Sequence, residues 1–130
     1  DSSLGYKNKG TKYDQEKIRT DLLSTLALEE LTKVLTYGAK KYTANNWRLG
    51  LNWSRLLGAS IRHIFAFMRG EDRDSETGLC HIAHAMCCQM FLLEYFLTGN
   101  GCDDRWDEAH RMPVSKRRNG THPHRKRKEK

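Results

Sequence analysis

The side chains that can bind a metal ion are concentrated between residues 70 and 84 of the 130-residue chain. Four carboxylates lie close together there, and two histidines follow on one face of what reads as a buried helix. Burying two imidazoles beside carboxylates is costly unless charges are paired or a cation lies among them. The pattern therefore predicts a divalent-metal site with imidazole and hard oxygen ligands. The predicted ligands are Glu30, Glu76, His81 and His84.

Other interpretations of this stretch stay open. The two histidines also suit a protein core in which backbone or carboxylate groups accept their hydrogen bonds. An acid of the loop, Asp74 or Glu76, also suits the positive end of the following helix as a cap. A zinc site would use Cys80, His84 and Cys87, although structural zinc sites usually draw ligand pairs from two separate segments.

Cations and aromatic side chains suited to a nucleotide precede this stretch. Arg55, Arg62 and Arg69 recur every seven residues, so their guanidinium groups stack along one stripe and either clamp phosphates or form a solvated face. The exit of the preceding helix adds Lys40 and Lys41 for phosphates, with aromatic planes and an amide for a base. Aromatic residues at a helix end also suit a core. The candidate substrate-binding residues here are Lys41, Tyr42, Asn46, Trp47, Arg55 and Arg62.

Helical periodicity indicates the elements that must position these groups. Apolar residues spaced at i, i+3, i+4 and i+7 predict helices over about residues 22–41, 53–69 and 79–97. The third is apolar nearly all round and should lie centrally, covered by the other helices or by a second subunit. A short amphipathic piece is expected near residues 105–111, and no strand alternation of any length occurs. The predicted fold class is all-α, a compact bundle of three main helices plus short helical pieces, which we expect oligomerisation to complete.

Length and charge divide the chain into a predicted domain, residues 1–115, and a predicted disordered basic tail, residues 116–130. The tail carries eight of the 23 lysines and arginines and one acid, so it accounts for the whole net charge of +7. The domain is neutral, and its composition is no evidence that it binds nucleic acid. The tail suits either a nucleic-acid contact or a solubilising segment.

Membrane and disulfide chemistry are not expected. No apolar run approaches the roughly 18 to 20 residues that span a bilayer, and the first residues lack the pattern of a signal peptide. The four cysteines form no CxxC pair, and three of them lie on one predicted helix, so we expect reduced thiols. These features favour a soluble cytoplasmic protein without a membrane partner.

Taken in order, several blocks of the sequence resemble a known family. The blocks are "KYDQEKIRTDLL", "ALEELTKVLTYGAKKYTANNW", "WSRLLGASIRHIFAFMRGEDRDSETGLCHIAHA" and "FLLEY". They are similar to the N-terminal domain of the phage dATP/dGTP diphosphohydrolase family, which is related to the all-α MazG-like nucleoside triphosphate pyrophosphohydrolases. The resemblance covers roughly residues 6–105. The ordered succession of blocks is more specific than any block alone.

The resemblance implies an α-helical, oligomeric enzyme of the host-cell cytoplasm that uses Mg²⁺ or Mn²⁺. Its expected reaction converts a purine deoxynucleoside triphosphate to the monophosphate and pyrophosphate. MazG-like enzymes hold Mg²⁺ with ExxE and ExxD pairs, whereas Glu30 is followed here by Lys33 and the later helix offers HxxH. The resemblance adds Lys17, Arg19 and His63 to the substrate-binding set and Asp14 to the family-like positions. The catalytic set is Glu30, Glu71 and Asp74.

Two rival functions accompany this hypothesis. The same pocket could sequester a nucleotide without cleaving it, but an anion-binding pocket has no use for four carboxylates near the phosphates. A nucleic-acid-binding module led by the tail would show strong salt dependence that deletion of residues 116–130 removes.

Overall fold

Three α-helices dominate the computed structural model, which describes residues 10, 11, 13 and 16–117. They are α1 (Thr25–Lys41), α2 (Trp53–Met68) and α3 (His81–Thr98). The prediction of an all-α fold is confirmed, with the helices within a few residues of their predicted bounds. The family-like position Asp14 and the predicted tail beyond residue 117 lie outside the described residues.

α1 begins at Thr25 rather than near residue 22. Ser24 caps the helix, because its hydroxyl oxygen accepts a hydrogen bond of 3.1 Å from the backbone N–H of Ala27. The residues before the cap form a separate 3-10 turn, Thr20–Leu22. The cap therefore separates the polar entry segment from the packed helix.

α3 lies against both other helices, as its apolar circumference predicted. Its first half packs on α1 in a core that includes Leu31 and Cys87. Its second half packs on α2, where Tyr95 is completely buried beside Trp53 and Leu56. Gly99, in the left-handed conformation with φ of 73°, ends the helix. Both ends of α3 are thus fixed, one beside each neighbouring helix.

A small antiparallel sheet follows α3. β1 (Trp106–Asp107) pairs with β2 (Met112–Pro113), with Trp106 opposite Pro113. The amphipathic helical piece expected near residues 105–111 is therefore wrong. The Asp107 carboxylate accepts hydrogen bonds from the backbone N–H and the imidazole of His110, which closes a turn instead of a helix.

Many large apolar side chains remain exposed on this chain. On α2 they include Ile61, Phe65 and Met68, the last of which is 73% exposed, and on α3 they include Leu93 and Leu97. Such a surface suits burial by a second copy, and the expectation of a homo-oligomer stays a prediction. Among the described residues, no helix is both long enough and apolar enough to cross a membrane.

Candidate metal centre

The loop between α2 and α3, residues 69–80, folds back on itself through the side chain of Asp74. One carboxylate oxygen of Asp74, Oδ1, accepts hydrogen bonds from the backbone N–H groups of Glu76 (2.7 Å) and Thr77 (3.1 Å). The aspartate caps its own turn rather than α3, whose N-cap residue Cys80 makes no side-chain capping bond. The second oxygen of Asp74 remains for other partners.

Three side chains from three segments converge beside this turn: His63 of α2, Asp74 of the loop and His81 of α3. One ligand atom from each lies within 4.8 Å of the others. The two Nδ1 atoms are 2.8 Å apart, and Oδ2 of Asp74 is 3.9 Å from Nδ1 of His63. We call these three residues the ligand group. His81 is 5% exposed, so the group faces the interior rather than open solvent.

The short distance between the two imidazole nitrogens requires a positive charge or a shared proton between them. Two unprotonated ring nitrogens would repel each other at 2.8 Å, so either a proton lies between them or both lone pairs face a cation. Nε2 of His81 lies 3.1 Å from a carboxylate oxygen of Glu71. A carboxylate favours a proton on that nitrogen, which leaves Nδ1 of His81 as an acceptor. Histidines that bind metals usually donate their second N–H in this way.

His84 completes the surroundings of the ligand group. Its ring stacks on that of His63 with centroids 4.6 Å apart and planes 9° from parallel. Nε2 of His84 lies 2.7 Å from the hydroxyl oxygen of Thr77, which also accepts the backbone N–H of Leu79. His84 is therefore held by the loop, one ring away from the ligand group.

The electrostatics favour neutral imidazoles at His63 and His84 and an ionised Asp74. Burial lowers the pKa of His63, and the neighbouring imidazoles lower it further. Burial also lowers the pKa of His84, against an opposing effect of Asp74. For Asp74, burial raises the pKa, but the backbone N–H groups of Thr77 and Glu76 outweigh it, and the net pKa is lowered. Neutral imidazole and ionised carboxylate are the protonation states that bind metal.

The structure places the other two predicted metal ligands apart from this group. The Glu30 carboxylate accepts a 2.7 Å hydrogen bond from Lys33, and that ion pair lowers the pKa of Glu30. The Glu76 carboxylate lies 3.3 Å from both the Tyr37 hydroxyl and the Lys41 ammonium. Among the described residues, the ligand group is the only cluster of three metal-binding side chains. The metal roles of Glu30 and Glu76 stay predictions.

Trp47, which was predicted to contact the nucleotide base, packs against other side chains of the protein. Trp47 stacks on Phe91, with ring centroids 4.2 Å apart and planes 12° from parallel, and the guanidinium of Arg48 lies 4.3 Å from the Trp47 ring. Two groups this close cannot share one side of a ring, so they cover opposite faces. The buried Tyr95 hydroxyl donates to the Trp47 carbonyl. In this arrangement Trp47 has no free face for a base.

The remaining predicted substrate contacts are on the surface. Tyr42 is 59% exposed and its neighbour Lys41 lies over its ring. Arg19 forms a surface ion pair with Asp21. In the described part of the chain, none of the other candidates forms a side-chain hydrogen bond or ion pair with the ligand group or with Trp47. All of them are exposed: Lys17, Asn46, Arg55, Arg62 and Arg69. Their roles stay predictions.

The cysteines are free thiols. Burial raises the pKa of Cys87 to about 12, so that thiol stays protonated and is a poor metal ligand at neutral pH. No cysteine joins a cluster of metal-binding side chains in the described residues. The zinc interpretation through Cys80, His84 and Cys87 therefore receives no support from the geometry.

Comparisons with known proteins agree with the resemblance. A family model described as dATP/dGTP diphosphohydrolase, N-terminal, matches residues 7–105. The chain belongs to this family. A protein named dATP/dGTP diphosphohydrolase, from Salmonella phage PMBT28, is 40% identical over 103 residues, which cover 77% of this chain and 34% of the relative. The chain thus spans about a third of that relative's length. No solved structure matches the chain.

Two contacts of this candidate centre were not predicted from the sequence. His63, assigned to substrate, lies directly against His81, and Thr77, which was not singled out, holds His84. The family resemblance pointed to His63, but a ring partner on another helix leaves no spacing signal in the sequence. The Asp-x-x-Thr pattern at residues 74–77 is the one local sign of the closed turn.

Proposed function

We propose that this member of the dATP/dGTP diphosphohydrolase family hydrolyses a purine deoxynucleoside triphosphate to the monophosphate and pyrophosphate with a divalent cation. The observation that carries the proposal is the convergence of His63, Asp74 and His81, with Glu71 on the far nitrogen of His81. The family membership and the name of the phage relative support the substrate class.

The three ligands suit a divalent ion that accepts both nitrogen and oxygen ligands. Two imidazole nitrogens and one carboxylate oxygen suit Mn²⁺ better than Mg²⁺, which prefers oxygen ligands. When bound, such an ion supplies Lewis acidity and neutralises phosphate charge. We propose Mn²⁺ as the preferred ion and Mg²⁺ as the weaker alternative. The ligand group would hold it.

In the proposed reaction, water attacks the α-phosphorus and the bond from that phosphorus to the pyrophosphate oxygen breaks. Glu71 keeps the proton of His81 on Nε2 and so directs Nδ1 into the ligand group. Of the two carboxylates predicted as bases, Asp74 is bound on Oδ1 by two backbone N–H groups and has a lowered pKa. Glu71 is therefore the better candidate to accept the proton of the attacking water, because its side chain is half exposed to solvent.

Charge on the pyrophosphate leaving group needs cations. We propose that surface lysines and arginines supply them, because positioned cations are a large part of catalysis in phosphoryl transfer. Lys41 would have to leave Glu76, a 3.3 Å contact between exposed groups that is worth little. The candidate cations from the sequence are Lys17, Arg19, Lys41, Arg55 and Arg62, and of these Lys41 contacts the loop, through Glu76.

Chromatography of the products tests this function directly. The protein is incubated with each deoxynucleoside and ribonucleoside triphosphate in Mn²⁺, in Mg²⁺ and in EDTA. We expect monophosphate and pyrophosphate from dATP and dGTP, fastest in Mn²⁺ and absent in EDTA. No hydrolysis with any ion, together with measurable nucleotide binding, would favour the sequestering function instead.

We further propose that the chain assembles as a homo-oligomer through the exposed apolar side chains of α2 and α3. Phe65 and Met68 are 53% and 73% exposed, and a second copy would remove them from water. Light scattering at micromolar concentration should give a multiple of the 15.1 kDa chain mass. A monomeric mass would exclude this assembly.

A further inference from the structure

A cleft of about 400 Å³ runs along the outer side of α1, next to the loop that carries Asp74. The α1 wall presents two lysines, Lys33 and Lys40, with the Tyr37 ring between them. The opposite wall is formed by Thr77 and Leu79. Apart from Glu29 at the start of the α1 wall, the lining has no carboxylate. The lining residues thus carry two positive charges against one negative charge, and the Glu30 and Glu76 carboxylates contact its edge through Lys33 and Tyr37.

The cleft is connected to the candidate metal centre through one residue. Thr77 lines the cleft, and its hydroxyl oxygen lies 2.7 Å from Nε2 of His84. The His84 ring in turn stacks on His63 of the ligand group at 4.6 Å. A molecule at this end of the cleft would therefore be separated from the ligand group by Thr77 and the His84 ring.

The two lysines are spaced for an extended anion. They are seven residues apart on one helix, which is two turns and roughly 10 Å along the axis. Lys40 has no ion-pair partner among the described residues. Lys33 is paired with Glu30, but both side chains are more than a third exposed, so the ammonium can turn to a phosphate at little cost. Ammonium groups bind phosphate oxygens as point charges.

We propose that this cleft binds the polyphosphate chain of the substrate, with Lys33 and Lys40 as its cations and the phosphorus to be attacked at the Thr77 end. This inference rests on the proposed function, because the polyphosphate is that of the nucleoside triphosphate. The proposal also predicts the effect of Glu29, whose negative charge weakens binding of the anion.

Calorimetric titration with inorganic tripolyphosphate, without metal, tests the cleft separately from catalysis. We expect Lys40→Gln to weaken binding by about 5-fold and Lys33→Gln by a similar factor, as for exposed charged contacts. Glu29→Gln should strengthen binding by about 2-fold, because a like charge is removed. Lys116→Gln, an equal loss of charge in the 3-10 turn Val114–Lys116, is the matched control and should bind as the parent does. Added salt should weaken tripolyphosphate binding by the parent and reduce the differences in affinity between the parent and the variants.

The same variants in the nucleotide assay separate the two proposals. Lys40→Gln should raise KM for the nucleotide about 5-fold with kcat little changed, as expected for a contact made with bound substrate. Hydrolysis with equal KM in Lys40→Gln and Lys116→Gln would remove the cleft and leave the proposed function standing. If tripolyphosphate binding depended on Lys40 but the protein hydrolysed no nucleotide, the cleft would stand and the proposed function would fall. Equal tripolyphosphate binding by Lys40→Gln and Lys116→Gln would overturn the inference.

Discussion

The ligand group and the loop around Trp47 lie near opposite ends of α3, roughly 20 Å apart along the helix. Both contain residue types typical of nucleotide enzymes, and both were predicted to take part in function. Around Trp47, the groups contact one another: the ring is covered by Phe91 and Arg48, and the Trp47 carbonyl accepts a hydrogen bond from the Tyr95 hydroxyl. In the ligand group, two imidazole nitrogens meet at 2.8 Å and an aspartate oxygen faces them.

The contrast shows how residue type alone misleads. An aromatic ring with both faces covered contributes to stability, because a ligand would have to displace its partners. Convergent acceptors gain energy from a cation that is not part of the fold. Substitutions in the first region should therefore change stability, and those in the second should change activity and metal response.

The largest effect is expected from Asp74→Asn. The asparagine keeps an oxygen that can accept from the backbone N–H groups of Glu76 and Thr77, but it removes the charge of the ligand group. Hydrolysis should fall by roughly 100-fold or more, about 2.7 kcal/mol of transition-state stabilisation. The melting temperature in EDTA should stay near that of the parent. Asp104→Asn, the same substitution beside Ser54, is the control and should keep activity per folded molecule.

Trp47→Leu should have the opposite effect, a loss of stability with little change in the KM for the nucleotide. Loss of the stacked ring beside Phe91 should lower the free energy of unfolding by about 2 kcal/mol, as for truncation of a partly buried aromatic. Chemical denaturation measures this loss. The KM of the folded enzyme for the nucleotide should stay within about 2-fold of the parent, since a covered ring contributes no uniform binding. A large rise in KM at unchanged stability would instead return Trp47 to the substrate site.

Metal should stabilise only through the ligand group. At a Mn²⁺ concentration about ten times its dissociation constant, the parent should gain about 1.4 kcal/mol and melt several degrees higher. EDTA should reverse the gain, and Mg²⁺ should give a smaller one. Trp47→Leu should show the same increment from a lower starting temperature. If Mn²⁺ raised the melting temperature of Asp74→Asn as much as that of the parent, the ion would bind elsewhere.

The smallest expected effect is on the pH dependence of stability in EDTA. Burial lowers the pKa of His63 and of His84 in the folded chain, so the unfolded chain binds more protons just below the ordinary histidine value of about 6.5. Stability contributed by the neutral rings is complete above that pH and is lost as the pH falls through the lowered folded values. Thermal denaturation between pH 7.5 and 5.5 should show the loss. His63→Gln should flatten the profile, whereas Trp47→Leu should leave its slope unchanged.

Much of the fold follows from local pattern. The positions of the three helices, the central place of α3 and the stop at Gly99 follow from apolar spacing and one glycine. The hairpin after residue 105 did not, because the bonds between Asp107 and His110 that close it compete with a helix of similar composition. Short segments of this kind have too few residues for periodicity to decide.

The sequence by itself determined the all-α class, the family, and the concentration of carboxylates and histidines around residues 70–84. Only the tertiary structure decided which of these side chains meet. His63 faces His81 and Trp47 is enclosed, and neither outcome has a spacing along the chain. The physical reason is that periodicity fixes the buried face of one helix, whereas partners across helices depend on how the helices pack and how the connecting loop closes.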